Sequence, residues 1–329
     1  MNKIRIGIMG YGNLGKGVEQ AIRHNKDMEL VGVFTRRDPL TIKTAIEDVP
    51  VYHSDNAKNM TDRIDVMVLC GGSISDMPVL GPLFAGMFNT VDCYDNHAQI
   101  PDYFDAMNKN ALESGKVCII SSGWDPGMFS INRLYADVIL PEGNTYTFWG
   151  KGISQGHSNA IRRITGVKDA IQYTIPMEKA IETVRRGDMP VLTARQKHRR
   201  ECFVVAEEGA DKKQIENNIK TMPNYFSDYD TEVYFVTEEQ LKKNHSGLPH
   251  GGLVIRYGKT GLNEEHNHMI EYKLDLSSNP EFTANVLVSF ARAAYRLSRE
   301  GVSGAKTVID IAPAYLSNKS GEELRSKFI

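Results

Sequence analysis

Apolar residues in the first part of this chain gather in short β-branched runs separated by stretches of helical spacing. KIRIGIM (3–9) reads as a strand, and GYGNLG (10–15) turns it into a helix from Gly15 to Arg23. ELVGVFT (29–35) predicts a second strand. VYH (51–53) follows a loop holding Pro39 and Pro50, and IDVMVLC (64–70) is a strongly apolar strand ending at Gly71-Gly72-Ser73. Helical stretches at 76–87 and 101–114 flank NTVDCYD (89–95), and KVCIISSGWDPG (116–127) holds one more strand. This alternation predicts an α/β Rossmann-type, doubly wound parallel sheet, which binds its ligand outside the carboxyl ends of its strands.

The pattern changes after about residue 130. NTYTFWG (144–150), DAIQYTIP (169–176), RECFVVAE (200–207), DTEVYFVT (230–237), HGGLVIRYG (250–258) and HMIEYKLDL (268–276) read as strands without intervening crossover helices. They predict a second α+β domain built on a mainly antiparallel sheet, with helices near 178–187 and 211–221 on one face. FTANVLVSFARAAYRLSRE (282–300) has helical spacing and stops at Gly301, a C-cap signal. The expected organisation is a dinucleotide-binding domain of 1–122 with 282–329, and a substrate-binding and dimerisation domain of 123–281.

Composition narrows the classes. With 329 residues the chain has room for two cores. A formal net charge of -2 gives no field to draw in nucleic acid or an anionic membrane. No apolar run approaches the ~20 residues of a spanning helix, and the start runs straight from a strand into glycines, unlike a signal peptide. Cys70, Cys93, Cys118 and Cys202 lack CxxC spacing and sit mostly in apolar segments, so buried thiols in a cytoplasmic protein are expected.

Gly10, Gly12 and Gly15 form GxGxxG between a strand and a helix, which predicts a pyrophosphate at the helix N-terminus. An NAD site would place an acid at the end of the second strand. This chain has Thr35-Arg36-Arg37 there, with Asp38 following late, and two guanidiniums suit the 2′-phosphate of NADP(H). Gly71-Gly72-Ser73 and Ser121-Ser122-Gly123 fall at further strand ends, as ligand loops or ordinary turns.

Two carboxylates stand at equivalent tips, Asp95 in DCYDNH and Asp125 in GWDPG, beside Tyr94 and Trp124. An acid so placed can hold an ammonium or take a proton, although Asp-Asn and Asp-Pro are also turn formers. His97 is a weaker candidate. In the second domain Arg199, Arg200, His250, Thr174 and Asn279 are candidates, with an Arg200–Glu201 ion pair as the structural alternative. Arg162-Arg163 reads as a solvated helix face. No HExxH, serine elbow or catalytic cysteine is present, and no metal site is expected. Residue chemistry alone reaches an NADP-linked oxidoreductase acting on something small and polar.

GYGNLGKGVE (10–19), LVGVFTRR (30–37), TVDCYDNH (90–97), SSGWDPGMFSINR (121–133), TFWGKGISQGHS (147–158), RRITGVKDAIQYT (162–174), MPNYF (222–226), LPHGG (248–252) and TGLNEEHNH (260–268) together resemble the meso-diaminopimelate D-dehydrogenase family over nearly the whole chain. The resemblance implies a homodimer that reversibly converts meso-2,6-diaminopimelate, NADP⁺ and water into L-2-amino-6-oxopimelate, ammonium and NADPH, in lysine and peptidoglycan-precursor synthesis. It places nucleotide contacts on Tyr11, Gly12, Asn13 and Leu14, on Thr35, Arg36 and Arg37, on Cys70 to Ser73, and on Cys93 and Tyr94. The motif residue Asp92 joins them, and Ser122, Gly123, Trp124, Asp125, Pro126 and Gly127 line nicotinamide and substrate. It places substrate contacts on Asp95, Asp125, Trp149, Gln155, Gly156, Thr174, Arg200, His250 and Asn279. Cys93 is where members differ. A broader D-amino acid dehydrogenase and a non-catalytic NADP(H)-binding regulator are the alternatives.

Overall fold

The computed structural model describes residues 3–329, in two compact units. One comprises the residues up to Ile131 with Pro280–Ile329, the other Asn132–Asn279. The chain begins β1 (Ile4–Met9), α1 (Asn13–Arg23), β2 (Met28–Thr35), β3 (Val51–His53), β4 (Val66–Leu69), α2 (Met77–Ala85), β5 (Asn89–Asp92), α3 (Ile100–Ser114) and β6 (Val117–Ile119). The division falls within α4 (Met128–Ile139).

The second unit holds β7 (Gly143–Trp149), β8 (Gly152–Ile153), α5 (Gln155–Arg162), β9 (Val167–Pro176), α6 (Glu178–Arg185), α7 (Ala194–Lys197), β10 (His198–Ala206), α8 (Lys212–Lys220), β11 (Asp230–Phe235), α9 (Glu238–Asn244), β12 (His250–Thr260) and β13 (His266–Leu276). The chain then returns through α10 (Asn279–Arg299), β14 (Gly304–Lys306) and α11 (Gly321–Phe328).

In the first unit the strand order is β14-β6-β5-β4-β1-β2-β3, with every pair parallel. Alternation along the strands explains the helix layers on both faces. Ile4, Ile6 and Ile8 pack with Val18 and Ile22 of α1 and Leu287 and Phe290 of α10. Met9, Met67 and Leu69 enter the opposite core with Phe84 of α2 and Met107 of α3. The connections from β1 and from β4 run to opposite sides of the sheet, so the turns after these two adjacent strands flank the topological switch point. Gly301 ends α10 at φ +79°, as its C-cap reading requires.

The second unit contains two sheets. β13-β12-β7 is antiparallel; β11-β10-β9-β8 is antiparallel except for the parallel pair β10–β11. The two helices expected on one face serve different sheets. Ile181 and Val184 of α6 pack with Phe148, Leu253 and Ile255, whereas Ile215 and Ile219 of α8 pack with Cys202, Val204 and Phe226. Among the described residues no helix is long and apolar enough to cross a membrane. The four cysteines are free thiols, Cys118 and Cys202 buried and Cys70 and Cys93 half-buried.

Candidate active site

The glycine turn follows β1 directly. Gly10 has φ +96°, and a Cβ on Gly15 would lie 2.2 Å from the Gly10 carbonyl oxygen, so these two glycines are required by the turn itself. A Cβ on Gly12 would touch nothing within 4 Å, so packing does not explain that glycine, and its backbone is open to the close approach of a ligand. Gly12 is also the N-cap of α1 and supplies no side-chain cap, so Asn13 and Leu14 open the helix with amides suited to an anion.

Thr35 is buried at the end of β2, while Arg36 and Arg37 are exposed. Arg37 donates from Nη2 to the Tyr11 carbonyl at 2.6 Å, and its amide donates to the Thr35 hydroxyl at 3.1 Å. Arg36 donates to Asp76 at 2.8 Å, and Asp76 accepts the Gly72 amide at 3.0 Å. Partial burial works to raise the Asp76 pKa, but the Gly72 amide and Arg36 outweigh it and hold the carboxyl below its ordinary value. One arginine is thus tied to the Gly71-Gly72-Ser73 loop and the other to the glycine turn. Asp38 caps the next turn by accepting the Leu40 amide at 3.0 Å, so its carboxylate is engaged locally. The donor set fits a dinucleotide carrying a 2′-phosphate.

Asp92 organises the neighbouring strand tips. Its side chain is fully buried at the end of β5. Oδ1 accepts the amides of Tyr94 at 2.9 Å and Ser121 at 3.1 Å, and Oδ2 accepts the Tyr103 hydroxyl at 2.8 Å. Its carbonyl accepts the Ser122 hydroxyl at 2.7 Å. Burial pushes this carboxyl up to about 6, against the pull of the three donors. Placed among the cofactor contacts from the sequence, Asp92 instead has its carboxylate turned inward, joining the segment that carries Asp95 to the segment that carries Asp125. Cys93 and Tyr94 lie between, with Tyr94 stacked on Tyr103 at 4.1 Å. Asp95 and His97 are exposed and Asp125 is half-buried.

The Ser122–Gly127 segment is a closed loop. The Gly123 amide donates to the Pro126 carbonyl at 2.9 Å, and the Asp125–Pro126 peptide is cis. Trp124 packs edge-on to Phe129 at 5.3 Å. Asp125 thus lies, half-buried, in a closed turn just before α4.

In the second unit three separated candidates, Thr174, Arg200 and His250, meet in one row that runs through Gly152. Thr174 of β9 pairs in register with Arg200 of β10 on one side and with Gly152 of β8 on the other. The His250 ring covers Gly152, where a Cβ would lie 2.5 Å from its Cγ. His250 Nδ1 lies 2.8 Å from the Gly251 amide nitrogen and 3.2 Å from the Gly251 carbonyl oxygen. The Asn279 amide donates to the Leu248 carbonyl at 2.9 Å, placing Asn279 beside the LPHGG segment. Trp149 stacks on His198 at 5.3 Å, and Gln155 and Gly156 are exposed in the first turn of α5.

Arg200 is buried, donates from Nη1 to the Thr174 hydroxyl, and lies 3.9 Å over the Tyr229 ring. Its Nε is buried without a hydrogen-bond partner. The expected alternative, an Arg200–Glu201 pair, is replaced by Glu201 with Arg199 at 2.6 Å. Arg162 pairs at the surface with Asp169 at 2.7 Å, as a solvated face would. Burial and the Arg200 charge lower both His157 and His198 to about 3, so both rings are neutral near neutral pH. Sequence reasoning missed His157, His198, Tyr229 and Gly152; the TFWGKGISQGHS block held Gly152 and His157, but no local signal marks the other two.

Residues 123–278 match the family described as Diaminopimelic acid dehydrogenase C-terminal domain, and residues 4–68 match Dihydrodipicolinate reductase, N-terminus. The meso-diaminopimelate D-dehydrogenase of Acetivibrio thermocellus is 65% identical, covering 100% of this chain and 98% of its own. The structure of the Corynebacterium glutamicum DAP dehydrogenase in complex with DAP is 48% identical, covers 100% of both chains and has a TM-score of 0.94. An engineered D-amino acid dehydrogenase bound to NADP⁺ is 47% identical, with 100% of both chains covered and a TM-score of 0.90. The glycine turn, the two aspartate tips and the Thr174–Arg200 row thus lie in a chain that belongs to the meso-diaminopimelate D-dehydrogenase family.

Proposed function

We propose that the protein uses NADP⁺ to oxidise the D-centre of meso-2,6-diaminopimelate, giving L-2-amino-6-oxopimelate, ammonium, NADPH and a proton with consumption of water. The observation that carries this reading is Arg200, a buried guanidinium whose Nε has no protein partner. Leaving a buried donor of a charged group unsatisfied costs about 1–3 kcal/mol or more, and a substrate carboxylate offsets that cost.

When bound, NADP⁺ supplies a hydride acceptor at nicotinamide C4. Asp95 and Asp125 hold the reacting ammonium, and Asp125 takes its proton directly or through a water it orients, so that the amine is neutral when hydride leaves. Thr174, Arg200, His250 and Asn279 hold the distal L-centre, with Trp124, Trp149, Gln155 and Gly156 as further substrate contacts. Binding the unreactive end fixes the reacting carbon, the use of remote binding energy that raises kcat. The first unit serves as the dinucleotide-binding domain and the second as the substrate-binding and dimerisation domain. Exposed Leu134, Tyr135, Val138 and Ile139 on α4 support a homodimer, and four free thiols support a cytoplasmic location. NADPH formation from meso-, L,L- and D,D-diaminopimelate in parallel tests the reading: turnover of the meso isomer far above the others supports it, and equal rates on meso and D,D refute recognition of the L-centre.

A further inference from the structure

Glu19 is a fully buried carboxyl in α1 that the chemistry above does not use. It faces the glycine turn and the loop that follows the arginines. One oxygen accepts the Tyr11 hydroxyl, and the other accepts the Ile46 amide at 2.7 Å. Tyr11 in turn offers its carbonyl to Arg37 at 2.6 Å. A continuous path therefore runs from Ile46 through Glu19 and Tyr11 to Arg37. The segment between Thr41 and Val49 has no strand or α-helix of its own, and most of its side chains are exposed. Its attachment to α1 through the Ile46 amide is thus a point at which it is held against the nucleotide turn. Burial desolvates the Tyr11 phenol, and its bond to Glu19 raises the pKa further, so the hydroxyl remains a donor over the physiological range.

We infer that Glu19 is a positioning residue for cofactor choice: it fixes the loop after β2 against Tyr11 so that Arg37, hydrogen-bonded to the Tyr11 carbonyl, presents its guanidinium to the 2′-phosphate. The inference rests on the NADP reading of Arg36 and Arg37. It separates Glu19 from a purely structural residue, because loss of a 2′-phosphate clamp penalises NADP⁺ and leaves NAD⁺, which lacks that group, little changed.

The test is steady-state kinetics with both cofactors on the full-length unmodified protein and on Glu19→Met and Glu19→Gln. Methionine keeps the volume and removes both acceptors. Glutamine keeps an acceptor for Ile46 and an amide for the Tyr11 oxygen. Glu19→Met is expected to raise KM for NADP⁺ at least ~10-fold, the scale of one charge-assisted hydrogen bond, with kcat and KM for NAD⁺ within ~3-fold and Glu19→Gln close to the unmodified protein. If Glu19→Met does not fold, Ile46→Pro, which deletes the loop's donor at the surface, is expected to show the same selective loss. Equal losses on both cofactors, or an unchanged ratio in whichever variant folds, overturn the role of Glu19. Absence of NADP preference in the unmodified protein overturns the reading of Arg36 and Arg37 instead.

Discussion

Thr174 and Arg200 stand opposite each other across the β9–β10 pair, and the guanidinium donates to the hydroxyl while its Cζ lies 3.9 Å over the Tyr229 ring. The cationic face of this arrangement is matched by an aromatic ring rather than a carboxylate. Burial lowers the Arg200 pKa, but from a value so high that the group stays charged. Its field and the dry surroundings keep His157 and His198 neutral, so the region carries one localised positive charge suited to one anionic group.

That arrangement has a cost in acid. His157 and His198 titrate at about 3 when folded and 6.5 in the reference state, so between those values the unfolded chain binds more protons and stability falls as pH falls. Asp92, raised to about 6, works in the opposite direction from 6 down to its ordinary 3.8. These two histidines against one carboxyl leave about one proton between pH 5 and 6, or about 1.4 kcal/mol per pH unit. His245, which burial also lowers, adds to the slope in the same direction. Urea midpoints across this interval should fall with acidification, and His198→Gln, which keeps an acceptor for the Trp149 amide, should flatten the slope. A steeper slope in that variant would contradict the assignment.

If Thr35-Arg36-Arg37 hold the 2′-phosphate as proposed, they set the choice of cofactor. NADP⁺ should be preferred over NAD⁺ by at least ~100-fold in kcat/KM, about 2.7 kcal/mol, consistent with two charge-assisted contacts. Replacing both arginines by alanine should remove most of that preference with little effect on NAD⁺. Equal use of the two cofactors by the unmodified protein would show that the arginines serve only their observed contacts to Asp76 and Tyr11.

The two aspartates differ in setting and should differ in consequence. Asp125, in a closed turn, should tolerate Asp125→Asn in fold and NADP⁺ binding but lose more than ~10²-fold in kcat/KM for meso-diaminopimelate. Asp95→Asn should weaken rate and binding together. Near-normal turnover of the Asp125 variant would reduce that residue to turn geometry.

Much of the first unit was legible because buried parallel strands write continuous apolar runs and the glycines mark the switch point. What escaped had no such run. β14 is only Gly-Ala-Lys, and β8 is two residues that pair because Gly152 admits the His250 ring. α4 leaves Leu134, Tyr135, Val138 and Ile139 exposed, so its apolar residues do not trace a single buried face. The parallel pairing of β10 with β11 depends on register, which no strand reveals alone. In the candidate site, Thr174 and Arg200 were readable as residue types, but their hydrogen bond follows from the β9–β10 register. Asp92 reads in the sequence as a cofactor contact and Glu19 as an ordinary polar position; the burial of both depends on partners such as Ser121 and Ile46, which their own segments do not reveal.

The central claim is that Arg200 grips an end of the substrate that does not react. The most direct measurement is kcat/KM of the unmodified and Arg200→Ala proteins on meso-diaminopimelate and on D-alanine, which has the reacting centre without the distal one. Arg200→Ala should depress meso-diaminopimelate by more than ~10²-fold, the scale of a desolvated charge pair, while changing the already slow D-alanine reaction by only a small factor. An equal proportional loss on both substrates would place Arg200 at the reacting centre or in the fold, and would contradict the two-ended account.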